Sequence, residues 1–387
     1  MIQLKGMTWS HDRGIKPLLA ASELFKKEHP EAEISWDARS LSDFELFPLE
    51  ELADKYDFIM IDHPHIGTAY AQNLLLPLDS LLDPEFLADQ KKNSVGQSFA
   101  SYTWEGKQYA LPADAAAQVC AYRKDLMGDH ILPVTWKDFF SLAESLPSSV
   151  VPAIPFVPVH AYSSFFTLCS QMGTEPFWSD GSELNIETGV KVLELLQRIL
   201  AASHQDSFYW DPINILDRMG ERSEIAYTPL CYGYSNYARD GYLDHTVLFG
   251  NIPSDTGQPE GSMIGGVGLS ISSGCKHTEL AASFLSMTTA ADFQKTHFFE
   301  NDGQPGHRAS WMDEKVNREC NGFFSQTLQT LDCGSMRPRF DGYIDFQAQA
   351  GEMIREEILK GRGQYRALVE KLNALLPRLC RIPIEGE

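Results

Sequence analysis

The stretch Tyr56-Asp57-Phe58-Ile59-Met60-Ile61-Asp62-His63-Pro64-His65 indicates which kind of sheet this chain forms. Its middle is apolar without alternation, which is typical of a strand that is covered on both faces. Two more β-prone runs precede it, over 2–9 and 33–37, and helical patterns separate the three runs, the second of them over roughly 47–55. Strands that alternate with helices predict an α/β fold with a parallel sheet.

Polar and aromatic residues follow each of these strands, over 9–13, 37–40 and 62–65. Ligands of open α/β sheets bind beyond the carboxyl ends of the strands. We therefore predict that a ligand site includes Trp9, His11, Asp62, His63 and His65. Other roles stay open, because Trp9 could pack under the first helix, His11 could lie in solvent and Asp62 could cap the turn that follows it.

The composition is that of a globular protein with about two domains. The chain has 387 residues, of which 43% are hydrophobic and 22% are charged. Asp and Glu number 53 against 32 Lys and Arg, which gives a formal net charge of -21. Such a chain is repelled by phosphate backbones and anionic lipid surfaces, which argues against binding of nucleic acid or membranes. No apolar run approaches the ~20 residues that span a bilayer.

The first residues and the cysteines bear on the compartment. Residues 1–9 lack the pattern of a secretion signal, so we expect either a protein without such a signal or a mature domain preceded by Met1. The seven cysteines form no C-x-x-C pair and predict buried free thiols, which fit a reducing compartment better than an oxidising one. We expect no disulfide between Cys320 and Cys333.

Several later segments are candidates for crossings between domains. A hairpin with a Glu-Gly turn over 102–112 leads into the small residues 113–117 and a strand over 118–123. Further crossings are predicted at 261–270 and near 303–307, and Thr135 is expected to cap a helix with Asp138 three residues on. The tail over 345–379 predicts two helices that are separated at 361–363.

An ordered set of short motifs resembles a known family. The motifs are Gly106-Lys107-x-Tyr109-Ala110-Leu111-Pro112, Tyr122-Arg123-Lys124-Asp125-Leu126, Pro133-x-Thr135-Trp136-x-Asp138-Phe139, Gly265-Gly266-x-Gly268-Leu269-x-Ile271-Ser272 and Lys276-His277-x-Glu279-x-Ala281-Ala282-x-Phe284-Leu285. Their order over most of the chain resembles the extracellular solute-binding proteins of ABC importers, in the group typified by maltose-binding protein. The Asp62-His63-Pro64-His65 segment departs from many relatives, which carry small residues there.

The resemblance implies a two-lobed α/β fold of the periplasmic-binding-protein type, with hinge strands and a cleft between the lobes. One lobe would hold 1–111 plus 266–306, and the other 112–265 plus 307–387. The family implies a monomer that captures a small sugar-like or polyol-like solute and passes it to an ABC permease. It implies neither catalysis nor a cofactor. The resemblance implies a periplasmic or extracellular location. If Met1 is the native start, the expected location is the cytoplasm.

A cleft for sugars needs aromatic faces to stack on the rings and polar groups to pair with the hydroxyls. By position in such a fold, further candidates are Asp114, Tyr162, Trp178, Tyr232, Gly265 and Gly266. The two glycines would let backbone N–H groups approach a ligand closely. The tyrosines could equally lie in the core.

Functions of other classes stay open at this stage. One is a cytoplasmic enzyme or sensor on the same lobes, in which the His63-x-His65 pair could help to bind zinc, although the third ligand would have to come from a distant residue such as His11 or His307. The chain has no phosphate-binding loop, no G-x-S-x-G elbow and no dinucleotide fingerprint, since Gly265-Gly266-x-Gly268 leads into a strand. Another is a structural adaptor without a small ligand.

Overall fold

The computed structural model describes residues 1–40, 49–173, 177, 182–361 and 363–381. They form two compact units. Unit 1 is Met1–Ala116, Gly265–Val316 and Arg339–Asp341, and unit 2 is Ala117–Ile264, Asn317–Pro338 and Gly342–Glu387. No helix in the described ranges combines the length and the apolar character needed to cross a membrane.

The strands and helices alternate along most of the chain. The strands are β1 (Ile2–Trp9), β2 (Ala32–Arg39), β3 (Phe58–Ile61), β4 (Thr103–Trp104), β5 (Lys107–Gln108), β6 (Ala110–Tyr122), β7 (Val151–Pro152), β8 (Ile225–Tyr232), β9 (Leu248–Gly250) and β10 (Ile264–Ile271). The helices are α1 (Asp12–Glu28), α2 (Leu49–Ala53), α3 (Ile66–Ala71), α4 (Pro84–Asn93), α5 (Ser98–Ser101), α6 (Lys124–Met127), α7 (Trp136–Ser145), α8 (Pro158–Gln171), α9 (Ile186–Ala201), α10 (Pro212–Glu221), α11 (Thr278–Thr289), α12 (Ala291–Phe293), α13 (Arg308–Trp311), α14 (Glu314–Glu319), α15 (Phe323–Asp332), α16 (Tyr343–Lys360) and α17 (Tyr365–Leu379).

Unit 1 has the parallel sheet that the apolar strands predicted. β1 pairs in parallel with β2 on one side and with β3 on the other, and β10 runs antiparallel to β3. β3 is buried along its whole length, which explains why its sequence is apolar throughout. The core of unit 1 also takes in the apolar side of α1, where Leu18 and Phe25 are buried.

Unit 2 has a smaller sheet, in which β7 and β8 are parallel, and β8 and β9 each run antiparallel to β6. The predicted cap at Thr135 is confirmed, because its Oγ1 accepts from Asp138 N at 3.1 Å while Asp138 Oδ2 accepts from Thr135 N at 2.9 Å. α16 and α17 confirm the two predicted helices of the tail.

The crossings differ in place from the boundaries proposed from the sequence. The chain passes between the units after residues 116, 264 and 316. It then returns to unit 1 for the three residues 339–341 before it continues in unit 2. Residues 307–316, expected in the second lobe, belong to unit 1, where His307 Nε2 lies 3.2 Å from Asp89 Oδ2 and Trp311 Nε1 donates to Pro305 O at 2.7 Å.

Two other expectations need correction. β6 begins at Ala110 and not near 118, so that it runs through Pro112 before it reaches unit 2. All seven cysteines are free as expected, but Cys333 is exposed while the other six are buried.

Within unit 1, the backbone of β10 at Gly266 packs closely on the backbone of β6. The contact lies just before β6 passes into unit 2. Gly266 has a φ of +91°, and a Cβ at this position would lie 2.5 Å from Asp114 O and 2.8 Å from Ala115 Cα. Any other side chain would therefore meet backbone that cannot rotate away. The sequence predicts that a ligand approaches the backbone at Gly266. In the structure, β6 fills the space beside Gly266.

We expect Gly266→Ala to lower the free energy of unfolding by more than the ~1–2 kcal/mol that a left-handed backbone costs an L-residue, because the contact with Asp114 O adds to that cost. Gly361→Ala is the control, since this residue is left-handed with a φ of +57° and its Cβ would meet nothing within 4 Å. Urea denaturation of both variants measures the difference, and equal losses would contradict the packing role of Gly266.

Candidate functional site

Three segments of unit 1 meet at one edge of its sheet. β1 and β3 are parallel, so that residues after Trp9 and after Ile61 leave the sheet on the same side. β10 is antiparallel to β3, with Gly268 opposite Ile61, which brings Gly266 to this edge as well. The Tyr102 hydroxyl donates to Ile61 O at 3.2 Å and lies 3.5 Å from Gly266 O, so it connects two of these segments.

The segment after β1 is held by packing and by a helix cap. Trp9 is 4% exposed and its ring packs on Gly14 in the first turn of α1. His11 is the N-cap of α1, and its Nδ1 accepts from Arg13 N at 3.1 Å. The neutral ring of His11 therefore carries its proton on Nε2, which makes that atom a hydrogen-bond donor.

A buried ion pair joins this segment to β6 within unit 1. Arg13 Nε donates to Asp114 Oδ2 at 2.6 Å, and Arg13 Nη2 donates to Asp114 Oδ1 at 2.5 Å. Both side chains are almost fully buried. Burial raises the pKa of Asp114, and the guanidinium opposes that shift by favouring the charged carboxylate. The bidentate geometry gives each charge the partner that burial requires.

The same surroundings keep His11 neutral. Burial and, to a smaller extent, the Arg13 charge lower the pKa of His11 to about 4, although the carboxylates of Asp12 and Asp302 act in the opposite direction. At neutral pH the ring is an uncharged donor.

The segment after β3 forms a 3-10 turn over His63–His65, capped by Asp62 Oδ1, which accepts from His63 N at 2.9 Å. This cap is one of the two roles that the sequence left open for Asp62. The ring of His63 meets the edge of Tyr102 at a centroid distance of 6.4 Å, and His65 is also buried. In the part of the chain that the structure describes, no group of three or more His, Cys, Asp or Glu side chains is arranged to hold a metal ion.

Unit 2 has a comparable edge at the carboxyl ends of β7 and β8. Tyr232 is the last residue of β8, and His160 lies in the first turn of α8, with a distance of 5.9 Å between the two ring centroids. His160 is 3% exposed, and its Nδ1 has no hydrogen-bond partner among the residues that the structure describes. Burial, with a smaller contribution from the Arg337 charge, lowers the pKa of His160 to about 3.

The other aromatic candidates of unit 2 differ in their surroundings. Tyr162 is fully buried, and its hydroxyl lies 2.7 Å from the Tyr343 hydroxyl at the start of α16. Trp178 lies outside the described residues, whereas its neighbour Phe177 is buried against Phe346 at a centroid distance of 4.8 Å.

The structure thus joins several of the unit 1 candidates through shared partners. In unit 1 it brings His11 and Asp114 together through Arg13, and it brings His63 near Gly266 through Tyr102, while Trp9 packs on Gly14. Sequence reasoning did not select Arg13, Tyr102 or His160. The signal for Arg13 was its place in the first turn of a helix, where a cation is unfavourable unless it has a specific partner.

Comparison of the sequence with protein families identifies the family to which the chain belongs. A model of the family described as bacterial extracellular solute-binding protein matches residues 49–307. An arabinooligosaccharide-binding protein of Halalkalibacterium halodurans is 23% identical over 276 residues. This alignment covers 65% of the chain and spans 58% of the length of that relative.

Solved structures with the same fold confirm the predicted fold class. The maltose-bound protein MalE3 of T. maritima matches with a TM-score of 0.83 at 16% identity, over 97% of this chain and 100% of the other. An ABC transporter solute-binding protein of Agrobacterium radiobacter, in complex with ribitol, matches with a TM-score of 0.81 at 17% identity, over 98% of each chain.

We expect Asp114→Ala and Arg13→Ala each to lower the free energy of unfolding by ~3–5 kcal/mol, because each leaves a buried charge without its partner. The double variant should cost less than the sum of the two, as a double-mutant cycle in urea measures. Lys16→Ala is the control, because Lys16 and Asp302 form a more exposed pair at 2.8 Å and its loss should cost ~0–1 kcal/mol. Additive single effects would contradict the coupling.

We expect His160→Gln to reduce the loss of stability in acid. The pKa of His160 is about 3 in the folded chain against 6.5 for the free side chain, so between these values the unfolded chain binds a proton that the folded chain does not. The stabilisation from a neutral His160 is full above pH 6.5 and falls as the pH falls towards 3. Between pH 6.5 and about 4.5 the variant should lose about 2 kcal/mol less than the unmodified protein. Identical pH profiles in urea denaturation would refute this.

Proposed function

Because the chain belongs to the family of bacterial extracellular solute-binding proteins, we propose that it captures a neutral sugar or polyol and delivers it to an ABC importer. Membership of this family makes it a solute-binding protein and not an enzyme, as the motifs predicted. The observation that carries the choice of solute is that His11 and His160 are uncharged at neutral pH and that Arg13 and Asp114 neutralise each other.

Unit 1 supports the proposal through groups that are fixed before a solute arrives. The Nε2–H of His11 is a donor whose ring is already oriented by its cap, and the turn over His63–His65 is oriented by Asp62. Preorganised polar groups bind hydroxyls with little further loss of entropy. Arg13 and Asp114 neutralise each other, so they offer no uncompensated charge to an ionic solute.

Unit 2 supports the proposal with an aromatic face beside an unsatisfied polar atom. Tyr232 is partly exposed at the end of β8, and the unpartnered Nδ1 of His160 is near it. A buried polar atom without a partner costs ~1–3 kcal/mol, which a solute hydroxyl would recover. We infer that the Tyr232 ring stacks on the apolar face of the solute while His160 pairs with a hydroxyl.

The proposed partners follow from the same family. The similar structures hold maltose and ribitol, and the curated relative is described as binding arabinooligosaccharide, so the proposed solutes are of this class. We propose that the protein works as a monomer outside the cytoplasmic membrane and that the permease subunits of an ABC importer receive the solute.

The test is a panel of maltose, ribitol, mannitol and arabinotriose, measured by calorimetric titration and by thermal unfolding. A solute present at about 100 times its Kd should stabilise the fold by about 2.7 kcal/mol. Tyr232→Ala should weaken the binding about tenfold, equivalent to about 1.4 kcal/mol, because the stacking face is removed.

Tyr209→Ala is the matched control, since this tyrosine of unit 2 is 67% exposed and lies apart from β8 in a 3-10 turn. Its affinity should equal that of the unmodified protein. Absence of binding and of stabilisation across the whole panel would refute the proposed solute class, and equal effects of the two tyrosine variants would refute the role of Tyr232.

A further inference from the structure

Three residues of the chain belong to unit 1 although the residues on both sides belong to unit 2. This anchor segment is Arg339-Phe340-Asp341, preceded by Pro338 and followed by Gly342. Phe340 is buried, and the other two residues are partly exposed. A stretch so short cannot form a fold element of its own, so its placement depends on the side-chain contacts it makes in unit 1.

Arg339 fixes one side of the anchor segment. Its Nη1 lies within hydrogen-bond distance of three backbone carbonyls, at 3.0 Å from Ala100 O, 3.1 Å from Ser101 O and 2.7 Å from Thr103 O. Its guanidinium also lies over the ring of Trp104, 5.2 Å from the centroid. Ala100 and Ser101 lie at the end of α5 and Thr103 begins β4, and a guanidinium is suited to donate to several such carbonyls at once.

The other side of the anchor segment contacts the start of α3. The Thr68 hydroxyl donates to Asp341 Oδ1 at 2.9 Å. Gly67 packs so closely on Arg339 O that a Cβ there would overlap this oxygen. Gly67 and Thr68 lie in the first turn of α3, which follows directly on the His63–His65 turn. The position of that turn is therefore tied to the anchor segment.

We propose that the anchor segment positions the His63–His65 turn for solute binding and couples solute binding in unit 1 to the start of α16 in unit 2. The proposal rests on the proposed function, since it concerns the same site. Arg339 is a positioning residue, which acts through Gly67 and Thr68 and not by touching the solute.

The coupling to unit 2 follows from the continuity of the chain. α16 begins at Tyr343, two residues after Asp341. The Tyr343 hydroxyl is 2.7 Å from that of Tyr162 in α8, the helix that also carries His160. A change in the anchor segment thus reaches, through two residues of backbone, a helix packed against the proposed solute-binding helix of unit 2.

The test compares Arg339→Ala and Thr68→Val with the unmodified full-length protein. The probe is whichever of maltose, ribitol, mannitol or arabinotriose the unmodified protein binds most tightly. Each variant should raise the Kd by about 5-fold or more, the lower end of typical coupling between sites, because the turn must then be ordered on binding. Arg339→Lys should restore part of the affinity, since an ammonium group can still donate to carbonyls in this place.

Arg355→Ala is the matched control. Arg355 also donates to a backbone carbonyl, Phe208 O at 3.1 Å from Nε, and lies over an aromatic ring, Tyr209 at 5.8 Å, but it does so within unit 2. It should change the Kd by less than 2-fold, even if it lowers the melting temperature as much as Arg339→Ala does.

A second readout separates positioning from general stability. Solute should slow the amide hydrogen exchange of residues 343–350 in the unmodified protein and in Arg355→Ala, but not in Arg339→Ala. If the unmodified protein binds no member of the panel, the proposed function fails. If the unmodified protein binds a solute and Arg339→Ala binds it equally well, the positioning role fails while the proposed function stands. The same conclusion follows if solute slows the exchange of residues 343–350 in Arg339→Ala as it does in the unmodified protein.

Discussion

The structure depends on how β6 is held where it passes from one unit into the other. On the unit 1 side, Arg13 pairs with Asp114, and Gln304 Nε2 donates to Ala115 O at 2.8 Å. On the unit 2 side, Ser262 Oγ donates to Gln118 O and Thr167 Oγ1 donates to Gln118 Oε1, both at 2.6 Å. Buried polar groups must be paired, so each unit fixes its own end of the strand, and only Ala116 and Ala117 lie between these anchored residues.

The charge of the site differs from that of the whole chain. The formal net charge is -21, yet several buried polar groups at the two sheet edges are neutral or compensated. Arg13 and Asp114 form a closed pair, and burial keeps His11 and His160 uncharged at neutral pH. The acidic residues therefore serve the solubility of the surface, while the interior of each edge suits hydroxyl groups more than ions.

Prediction from sequence succeeded where the signal was local. The apolar β3, the parallel order of β1 to β3 and the capping box of α7 follow from runs and spacings of a few residues. It failed for the crossing after residue 316 and for the anchor segment, because neither has a composition that distinguishes it from its neighbours. Arg13 and His160 were missed for a similar reason, since their significance lies in partners or burial that residues distant in the chain create.

The sequence by itself determined the fold class, the family and the strand ends after which ligand-binding residues are expected. It could do so because strand and helix periods, caps and ordered motifs are properties of neighbouring residues. Only the tertiary structure decided that Asp114 faces Arg13, that β6 fills the space beside Gly266, and that Arg339 is held by carbonyls of α5 and β4. These contacts join residues about 100 or more positions apart, and the energy of such pairs depends on burial that no local pattern encodes.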